Sequence, residues 1–542
     1  MRGLMQDFPL TLPMIVRRAE SLFADSEIVT ASPRGLERTT YGQWAERAHR
    51  LGGVLDDLGV SPDGRVATFG WNTARHLECY YAAPCTGRVL HTLNIRLFAD
   101  QLTYIVNHAE DEVIFVDRSL LPLLWPLVPT FETVKHFVVM DDGSDAEIPE
   151  DPRVRDYETL LAAASPVPFD VDDENSAAAM CYTSGTTGNP KGVVYSHRSM
   201  VLHAMASMAN DLMGVCQADT VLAIVPMFHA NVWGLAHSAL MAGANIVFPG
   251  PDLSPKTLVD HIERERVTLA AGVPTIWMAA LPEFKGRDTS SLRIVVCGGS
   301  AVPKALSESF RETIGLPITQ AWGMTETGPL GSWNITKKRF RDASEEELAE
   351  LRTAQGLPVP GVEVRIADAD TGEIQPWDGE SRGELQCSGP WIASAYYNDA
   401  RSGESFTEDG WLRTGDVATI DADGYIRLRD RTKDLVKSGG EWISSVELEN
   451  EIMSHPKVLE AAVIGVPHER WVERPLACVV VKPGEQLTAD DVLSHLRDRV
   501  AKWWLPDAVE FIDEVPKTSV GKFSKKDLRA KFEGYVLVDR ET

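Results

Sequence analysis

The densest group of residues able to bind a charged substrate lies between positions 182 and 192. The sequence there reads Tyr-Thr-Ser-Gly-Thr-Thr-Gly-Asn-Pro-Lys-Gly. Glycines let the backbone approach a ligand closely, hydroxyls and backbone N–H groups donate to an anion, and Lys191 adds a positive charge. The order differs from that of a Walker A loop, because Lys191 does not follow a GxxxxG frame. We therefore predict a phosphate-binding loop of another type.

Further groups of potential chemical use lie downstream. Positions 320–327 read Gln-Ala-Trp-Gly-Met-Thr-Glu-Thr, which places an aromatic ring, hydroxyls and a carboxylate in one turn. Asp416 ends the run Arg-Thr-Gly-Asp, and a carboxylate can accept hydrogen bonds from two ribose hydroxyls. Lys522 lies in Pro-Lys-Thr-Ser-Val-Gly-Lys-Phe at 516–523. Taken singly, a turn or a lysine of this kind is common on protein surfaces.

Together and in this order, the motifs resemble those of the adenylate-forming superfamily. Its members include acyl-CoA synthetases, nonribosomal peptide adenylation domains and luciferases, and the resemblance covers nearly the whole chain. It implies ATP and coenzyme A as co-substrates and Mg²⁺ as cofactor. In the first step, a carboxylate would attack the α-phosphorus of ATP to give acyl-AMP and pyrophosphate. In the second, the thiol of coenzyme A would attack the acyl-AMP.

The resemblance also assigns roles to residues. Trp322 would stack on adenine, where the family more often has Tyr, and Asp416 would bind the ribose. Mg²⁺ would be held by Thr183 and Glu326. The catalytic residues would be Lys522, Thr186, Lys191 and Glu326. The nucleotide-binding residues would be Thr183, Ser184, Gly185, Thr187, Gly188, Trp322, Gly323, Thr325, Asp416 and Arg431.

The segment 430–443 resembles the family's hinge and its coenzyme A path. Lys433 would be the pivot about which a small C-terminal domain rotates between the two steps. Glycines in the path would leave room for the pantetheine thiol, and the run Lys-Ser-Gly-Gly-Glu-Trp-Ile-Ser is closest to fatty-acyl-CoA synthetases. The path residues would be Lys437, Ser438, Gly439, Gly440 and Trp442.

The resemblance also implies an acyl pocket, which in the family lies behind the segment 226–234 with 298–301 lining another wall; both segments are apolar. Their character favours an alkyl chain over an amino acid, and Trp233 resembles the aromatic gate of long-chain fatty-acyl-CoA synthetases. Ala321, where the family often has Gly, adds one methyl group that would favour shorter chains. The predicted pocket residues are His229, Trp233, Gly298, Gly299, Ser300 and Ala321.

The prediction for the reaction is therefore an AMP-forming acid:CoA ligase acting on medium- or long-chain fatty acids. One alternative is a CoA ligase for a short thio-substituted, branched or aromatic acid. Another is an acyl-AMP ligase that loads a carrier protein, and a third is a non-catalytic nucleotide-binding protein. A serine hydrolase is not supported because GxSxG is missing, nor is an NAD-dependent enzyme, because GxGxxG does not follow a strand.

The composition limits the kinds of ligand and the cellular compartment that we expect for this protein. The 542 residues carry a formal charge of −26, which argues against nucleic acid as a ligand. A basic run between Lys517 and Arg529 is interpreted as a solvated helix end. The 7 cysteines are widely spaced and form no CxxC pair, which fits a reducing cytoplasm. No membrane span is expected. A homodimer is expected from the family alone.

The predicted fold class is α/β. Amphipathic helices alternate with short apolar runs, including a helix over 41–58 and strands over 65–69 and 269–272. A β-rich subdomain is predicted over about 361–386. Within a small α+β C-terminal unit, helices are expected from Ser445 and over about 488–503. The predicted domains are 1–430, containing the ATP and acyl sites, and 431–542, mobile, with the hinge near 430–434.

Overall fold

The computed structural model describes residues 1–183, 189–369, 371–438, 441–468, 470–518 and 522–537. The strands are, in chain order, β1 (Glu27–Ser32), β2 (Gly35–Thr40), β3 (Arg65–Phe69), β4 (Val89–Thr92), β5 (Asp111–Asp117), β6 (His136–Met140), β7 (Val154–Asp156), β8 (Ala177–Tyr182), β9 (Gly192–Ser196), β10 (Thr220–Ala223), β11 (Asn245–Phe248), β12 (Leu269–Gly272), β13 (Ile294–Cys297), β14 (Ile318–Gly323), β15 (Leu330–Trp333), β16 (Leu357–Pro358), β17 (Glu363–Ala367), β18 (Gly383–Ser388), β19 (Leu412–Ile420), β20 (Ile426–Arg431), β21 (Val436–Ser438), β22 (Glu441–Ile443), β23 (Val458–His468), β24 (Val472–Val481) and β25 (Ala508–Phe511).

The helices are α1 (Pro13–Leu22), α2 (Tyr41–Asp57), α3 (Ala74–Cys85), α4 (Ala99–Ala109), α5 (Leu121–Leu124), α6 (Tyr157–Ala163), α7 (His197–Ser207), the short helical turn α8 (Ala230–Trp233), α9 (Leu235–Ala242), α10 (Pro255–Arg264), α11 (Pro274–Ala280), α12 (Lys304–Ile314), α13 (Glu345–Leu351), α14 (Ser445–Met453), α15 (Ala489–Leu496) and α16 (Lys525–Lys531).

Two large, mainly parallel sheets form the N-terminal part. The seven-stranded sheet has the order β7-β6-β5-β3-β4-β8-β9, and the nine-stranded sheet has the order β16-β15-β14-β13-β12-β10-β11-β1-β2. Helix α3 is packed within the large hydrophobic core that both sheets share, and its residues from His76 to Cys85 are all buried. Because these strands are covered on both faces, they are continuous apolar runs rather than alternating ones. This is the layered α/β arrangement that the sequence predicts.

The β-rich part is a four-stranded antiparallel sheet in the order β17-β18-β19-β20. It begins at Glu363, close to the predicted start, but the predicted end near 386 is wrong, because β19 and β20 extend the sheet to Arg431. Strand β19 carries Asp416, whose backbone pairs with Arg431 across the sheet. The sheet thus places the predicted ribose-binding carboxylate beside the segment in which the hinge is predicted.

The small C-terminal domain is built on strands β21 to β25. Strand β23 alternates strictly: Ala461 and Val463 join the core that α14 and α15 complete, whereas Ala462 and Ile464 join the core beneath α16. A strand whose successive side chains point to opposite faces can fill two cores in this way. The domain therefore has hydrophobic cores of its own, as the predicted fold class requires.

Two details of the C-terminal prediction are wrong. The helix expected over about 488–503 ends at Leu496, because Trp504 packs into the domain core from a separate short turn. The basic run is not a solvated helix end. The Lys525 ammonium lies 2.7 Å from the Glu449 carboxylate, and their side chains are 11% and 9% exposed. Arg529 pairs with Asp434 at 2.6 Å.

Candidate active site

The end of β14 brings the nucleoside-binding candidates together. Trp322 donates from Nε1 to Asp416 Oδ2 at 2.8 Å, and both residues are buried. The indole packs on Gly331, where a β-carbon would lie 2.4 Å from the ring. Gly323 follows, and a β-carbon there would lie 1.7 Å from the Pro329 carbonyl oxygen. Only glycine fits that position, because the backbone at Gly323 lies directly against the backbone at Pro329.

Asp416 also connects this turn to the end of β20. Its Oδ1 lies 3.0 Å from Nε of Arg431, and its backbone N–H donates to Thr414 Oγ1 at 3.1 Å. The Asp416 side chain is 4% exposed, whereas that of Arg431 is 45% exposed. A buried carboxylate held from two sides is fixed in orientation, which suits recognition of a diol.

A second cluster surrounds Glu326. Tyr396 donates its hydroxyl proton to Glu326 Oε1 at 2.6 Å. Lys191 lies with Nζ 4.4 Å from the centre of the Tyr396 ring and donates to Ser405 Oγ at 3.2 Å. Thr183 accepts from the backbone N–H of Lys191 at 3.3 Å. The two ends of the predicted phosphate loop thus contact each other, and Lys191 lies against Tyr396, the hydrogen-bond partner of the predicted metal-binding carboxylate.

Lys522 reaches the same region from the C-terminal domain. A β-carbon on Gly299 would lie 3.1 Å from Cε of Lys522. Burial, followed by the charge of Arg431, lowers the pKa of Lys522 to about 8, against the opposing influence of Asp416 and Glu326. The ammonium therefore stands among the charged groups of the N-terminal domain rather than in open solvent.

Two of the predicted acyl-pocket residues, His229 and Gly299, lie near Lys522. Burial, with a smaller contribution from the Lys522 charge, lowers the pKa of His229 to about 3, so the imidazole is neutral near pH 7. A β-carbon on Gly298 would lie 3.1 Å from the Trp233 ring and 3.2 Å from the Ala321 carbonyl oxygen. Ser300 is exposed. The Trp233 indole and the Ala321 carbonyl group therefore both lie against Gly298, where a side chain would collide with them.

The segment that carries Trp233 has an unusual backbone. Ala230, Asn231, Val232 and Trp233 have φ values of 42°, 50°, 52° and 56°, and Gly234 follows at 71°. Left-handed helical conformation costs a residue other than glycine about 1–2 kcal/mol. The turn is thus strained over four consecutive residues, and the packing around it must compensate.

The predicted coenzyme A path lies apart from the Lys522 cluster. Lys437 donates its backbone N–H to Glu473 at 2.9 Å, and its ammonium lies 4.6 Å from the Trp442 ring centre. Ser438 accepts from Arg474 at 2.9 Å. These contacts are all within the C-terminal domain. The remaining predicted residues of the path and of the phosphate loop, which are Gly439, Gly440, Ser184, Gly185, Thr186, Thr187 and Gly188, lie outside the described residues.

Lys433 follows the last strand of the β-rich sheet by two positions. Its carbonyl oxygen accepts from Arg529 at 3.2 Å, so α16 touches the predicted hinge directly. Partial burial and the charges of Arg431 and Arg529 lower the pKa of Lys433 to about 8, although Asp434 opposes the shift.

Sequence reasoning missed some residues of the site. Tyr396 holds Glu326 and lies against Lys191, yet no motif spacing marks a loop tyrosine whose partner is 70 positions away. Tyr195 donates to the Thr325 carbonyl oxygen at 2.7 Å and holds the turn that carries Glu326. In the sequence, the one feature that could have pointed to Tyr396 is the tyrosine pair at 396–397, which precedes the predicted ribose-binding motif at 413–416.

Neither a membrane span nor a ready metal cage is found among the described residues. None of the helices there is long and apolar enough to cross a membrane. No group of three His, Cys, Asp or Glu side chains is arranged there to hold a metal ion. A metal bound at Glu326 would therefore need most of its ligands from the substrate or from water.

Curated relatives match the chain from end to end. A long-chain-fatty-acid–CoA ligase of Thermus thermophilus is 47% identical over 98% of this chain and 97% of its own. A 3-methylmercaptopropionyl-CoA ligase of Ruegeria lacuscaerulensis is 44% identical over 98% and 99%. Among solved structures, the anthranilate CoA ligase AuaEII in complex with anthranoyl-AMP matches with a TM-score of 0.86 and 27% identity, over 97% of this chain and 99% of that one.

The family models agree with the geometry. The model for the AMP-binding enzyme matches residues 17–397, and the model for the AMP-binding enzyme C-terminal domain matches residues 447–522. The first match spans most of the chain and includes the predicted phosphate loop and Glu326, and the second ends on Lys522. The resemblance on which the sequence prediction depends is confirmed, and the chain belongs to the AMP-binding enzyme family.

Proposed function

We propose that this protein is an ATP-dependent carboxylic acid:coenzyme A ligase that acts through an acyl-AMP intermediate. The observation that carries the proposal is the approach of Lys522 to Asp416 and Glu326 from a separate domain. An ammonium at that point would stabilise the negative charge that builds as a carboxylate attacks the α-phosphorus. Relatives named as CoA ligases over the full length support the same reaction.

In the first step, the protein's task is to position the reactants and neutralise their charge. Asp416, oriented by Trp322 and Arg431, would bind the ribose. Lys522 is mostly protonated near pH 7, since its pKa is about 8. Neutral His229 and the ring of Trp233 would border the carboxylate without adding charge. Thr186 and Lys191 remain predicted phosphate contacts.

The residues present fit a magnesium ion that is held mainly by substrate phosphates. Glu326 offers a carboxylate whose Oε1 already accepts from Tyr396 at 2.6 Å, and a carboxylate has further lone pairs. Mg²⁺ keeps several waters and takes only one or two protein carboxylates. Glu326 and the Thr183 hydroxyl would hold it, and when bound it would neutralise phosphate charge.

The second step requires a different face of the C-terminal domain. Lys437, Ser438 and Trp442 lie outside the Lys522 cluster, so the arrangement described fits the first step. We propose that the domain rotates about the segment 430–434, with Lys433 as the pivot. The path residues would then replace Lys522 beside the acyl-AMP.

For the acid, we propose an aliphatic carboxylate. Trp233, Gly298 and Ala321 present an apolar surface beside Lys522, and none of these residues would bind an amino group. The relatives' names include both a long-chain fatty acid and 3-methylmercaptopropionate, so similarity alone does not choose between a fatty acid and a short thio-substituted acid.

The test combines one assay and one variant. The purified protein is incubated with ATP, Mg²⁺ and acids from acetate to palmitate, with and without coenzyme A, and products are identified by mass spectrometry. Acyl-CoA is expected only when coenzyme A is present. Acyl-AMP that accumulates without conversion would favour the carrier-loading reaction, and no adenylate from any acid would favour a non-catalytic nucleotide-binding protein.

The variant Lys522→Ala separates the two steps. We expect adenylate formation to fall by roughly 10²–10³, the usual effect of removing one preorganised donor. Thioester formation from supplied acyl-AMP should persist, because Lys522 serves only the first step. Equal loss of both steps would contradict the role assigned to Lys522.

Location and assembly remain predictions. The 7 cysteines are all unpaired, and Cys216 is the exposed one, which supports a reducing compartment such as the cytoplasm. Size-exclusion chromatography with light scattering would test the homodimer expected from the family.

A further inference from the structure

A buried ion cluster joins the last strand of the β-rich sheet to the C-terminal domain. It contains the carboxylates of Asp430 and Glu449, the hydroxyl of Ser445 and the ammonium of Lys525. The first three residues are 3%, 7% and 0% exposed, and the Lys525 side chain is 11% exposed. Burial of charged groups is unfavourable unless they are paired and hydrogen-bonded, so the contacts within this cluster decide whether the two domains stay together there.

Asp430 is the member of the cluster that belongs to the β-rich sheet. Its backbone pairs with Val417 on the neighbouring strand β19. Its Oδ2 accepts hydrogen bonds from both the backbone N–H and the hydroxyl of Ser445, each at 2.6 Å. Ser445 is the first residue of α14, so the Asp430 carboxylate satisfies an N–H group at the start of that helix, where negative charge is favourable.

Lys525 connects this contact to the proposed catalytic lysine. Its ammonium lies 2.7 Å from Glu449 Oε1 and also donates to the hydroxyl of Ser445. Burial acts to lower the pKa of Lys525, but the charges of Glu449 and Asp430 outweigh burial and raise this pKa, so the ammonium is charged. Lys525 begins α16 and lies three residues after Lys522. The position of Lys522 is therefore tied to the cluster.

The residue before Asp430 contacts the same turn of α14. Arg429 lies with Nη1 2.7 Å from Glu447 Oε1, and its carbonyl oxygen accepts from the hydroxyl of Ser444. Strand β20 thus contacts the start of α14 through two successive residues, of which Asp430 is the buried one.

The proposed pivot lies between the two sides of this contact. Asp430 precedes Lys433, whereas Ser445 and Lys525 follow it. A rotation about Lys433 must therefore separate Asp430 from Ser445, although Lys525 would keep Glu449, which belongs to the same domain. The contact at Asp430 can exist only while the C-terminal domain is docked with Lys522 at the proposed site.

We propose that Asp430 is a positioning residue that holds the C-terminal domain docked for the first step and must release it before the second. It acts through Ser445 and Lys525 on the placement of Lys522 and does not touch the substrate. This inference rests on the proposed two-step ligase reaction with Lys433 as the pivot. Weakening the contact should slow the first step and spare the second.

The kinetic test uses Asp430→Asn, which keeps the shape of the side chain and removes its charge. We expect adenylate formation to slow roughly 10-fold, because a hydrogen bond to a charged group changes an equilibrium by about 10- to 100-fold. Thioester formation from supplied acyl-AMP and coenzyme A should be unchanged or faster. The ratio of the two rates is the measured quantity, since a loss of folded protein lowers both rates equally.

Ser445→Ala tests the same contact from the other domain. It removes the hydroxyl between Asp430 and Lys525 and keeps the backbone N–H, so the ratio should fall in the same direction by a smaller factor. The double variant should lie within about twofold of Asp430→Asn alone, because both changes act on one contact.

Glu449→Gln is the matched control. Glu449 contacts Lys525 and accepts from the backbone N–H of Val463 at 2.7 Å, and both partners belong to the C-terminal domain. This variant should lower the Tm without lowering the ratio of the two rates. A fall in the ratio as large as that of Asp430→Asn would mean that the cluster acts only by stabilising the C-terminal domain.

A distance measurement tests the contact without any turnover. Cys216 is the exposed cysteine and lies in the N-terminal part, and Gln486→Cys places a second label at an exposed position of the C-terminal domain. Double electron–electron resonance between spin labels at these two positions should give one predominant distance. Asp430→Asn should add a second distance or broaden the first, and Glu449→Gln should do neither.

The outcomes separate the two proposals. If Asp430→Asn and Ser445→Ala both keep the wild-type ratio and distance, or if Asp430→Asn slows both steps equally, the inference is wrong while the ligase assignment stands. If the unmodified protein activates no acid, the proposed function fails, and an unchanged distance in Asp430→Asn would then refute the inference as well.

Discussion

Tyr396 is the residue on which the arrangement around Glu326 most depends. Its hydroxyl holds the carboxylate at 2.6 Å, and its ring supports the ammonium of Lys191 at 4.4 Å. A hydrogen bond to a charged group contributes about 1.5–3 kcal/mol. This residue therefore orients two groups that are expected to meet phosphate and metal.

We expect Tyr396→Phe to reduce kcat for adenylate formation by roughly 10-fold or more, because Glu326 loses its fixed orientation while the ring under Lys191 remains. The Mg²⁺ concentration needed for half-maximal rate should rise. Pyrophosphate release measured over a Mg²⁺ series checks both. Tyr397→Phe is the control, since Tyr397 contacts the His108 ring instead; equal losses in the two variants would contradict the role of Tyr396.

Lys522 gives the reaction a defined dependence on pH. Its pKa is lowered to about 8, and the protonated form is the one that stabilises charge. For free enzyme and free substrates, kcat/KM for adenylate formation should therefore be constant up to about pH 8 and fall tenfold per unit above it.

The assignment of this alkaline limb is checked by substitution. Lys522→Arg should move the limb to higher pH, even if the maximal rate falls, because a guanidinium stays protonated. Lys433 also has a pKa of about 8, so Lys433→Met is the control and should leave the limb in place. A limb that moves with Lys433 instead would refute the assignment to Lys522.

Sequence reasoning located residues whose neighbours lie close in the chain and missed those whose partners are distant. Asp416 could be predicted because a short motif contains it. The pairing of Lys525 with Glu449, which lie 76 positions apart, could not, and the basic run looked solvated for that reason. Tyr396 acquires its role only through tertiary contacts.

At the level of elements, the buried strands were the most predictable part. Strands β3 and β12 coincide with apolar runs at 65–69 and 269–272, because strands covered on both faces must be apolar throughout. The end of α15 was not predictable, since the apolar pattern continues to Trp504 while tertiary packing moves that ring into the core from another turn. Local periodicity carries no information on such a break.

The left-handed turn α8 predicts an unusual response to glycine. Ala230→Gly should raise the free energy of unfolding by about 0.5–1 kcal/mol, because glycine adopts a φ of 42° without strain. Ala239→Gly, in the right-handed helix α9, should lower it by about 1 kcal/mol. Both alanines are buried, so the pair is matched. Urea denaturation measures the difference, and equal destabilisation would show that the turn is not strained in solution.

At the level of the whole molecule, the proposed site belongs to both domains. Lys522 comes from the C-terminal domain, while Glu326 and Asp416 belong to the N-terminal part. The two steps of the proposed reaction would need two docking arrangements of these domains, and 430–434 is the segment that we propose as the hinge between the domains. Restricting that connection should therefore separate the steps.

We expect Lys433→Pro to keep adenylate formation within about threefold of wild type and to slow thioester formation at least tenfold. Proline fixes φ and restricts the preceding residue, which limits rotation. The neighbouring backbone bonds from Thr432 to Gly415 and from Asp434 to Arg431 do not involve the Lys433 N–H, so the docked form should persist. Each half-reaction is followed separately in a rapid-quench experiment. An unchanged thioester rate would place the pivot elsewhere.

The left-handed turn also bears on how this scaffold could acquire new substrates. A change in substrate selectivity is reached through single substitutions, and each variant must still fold. Every residue introduced at 230–233 must adopt a positive φ, which is unfavourable for most side chains. Helix α7, whose His203 lies against Gly234 of this turn, is an ordinary right-handed helix, so Ser199 and Met200 there can vary without backbone cost. Natural drift and directed evolution should therefore both find new acids more readily by way of α7 than by way of the turn.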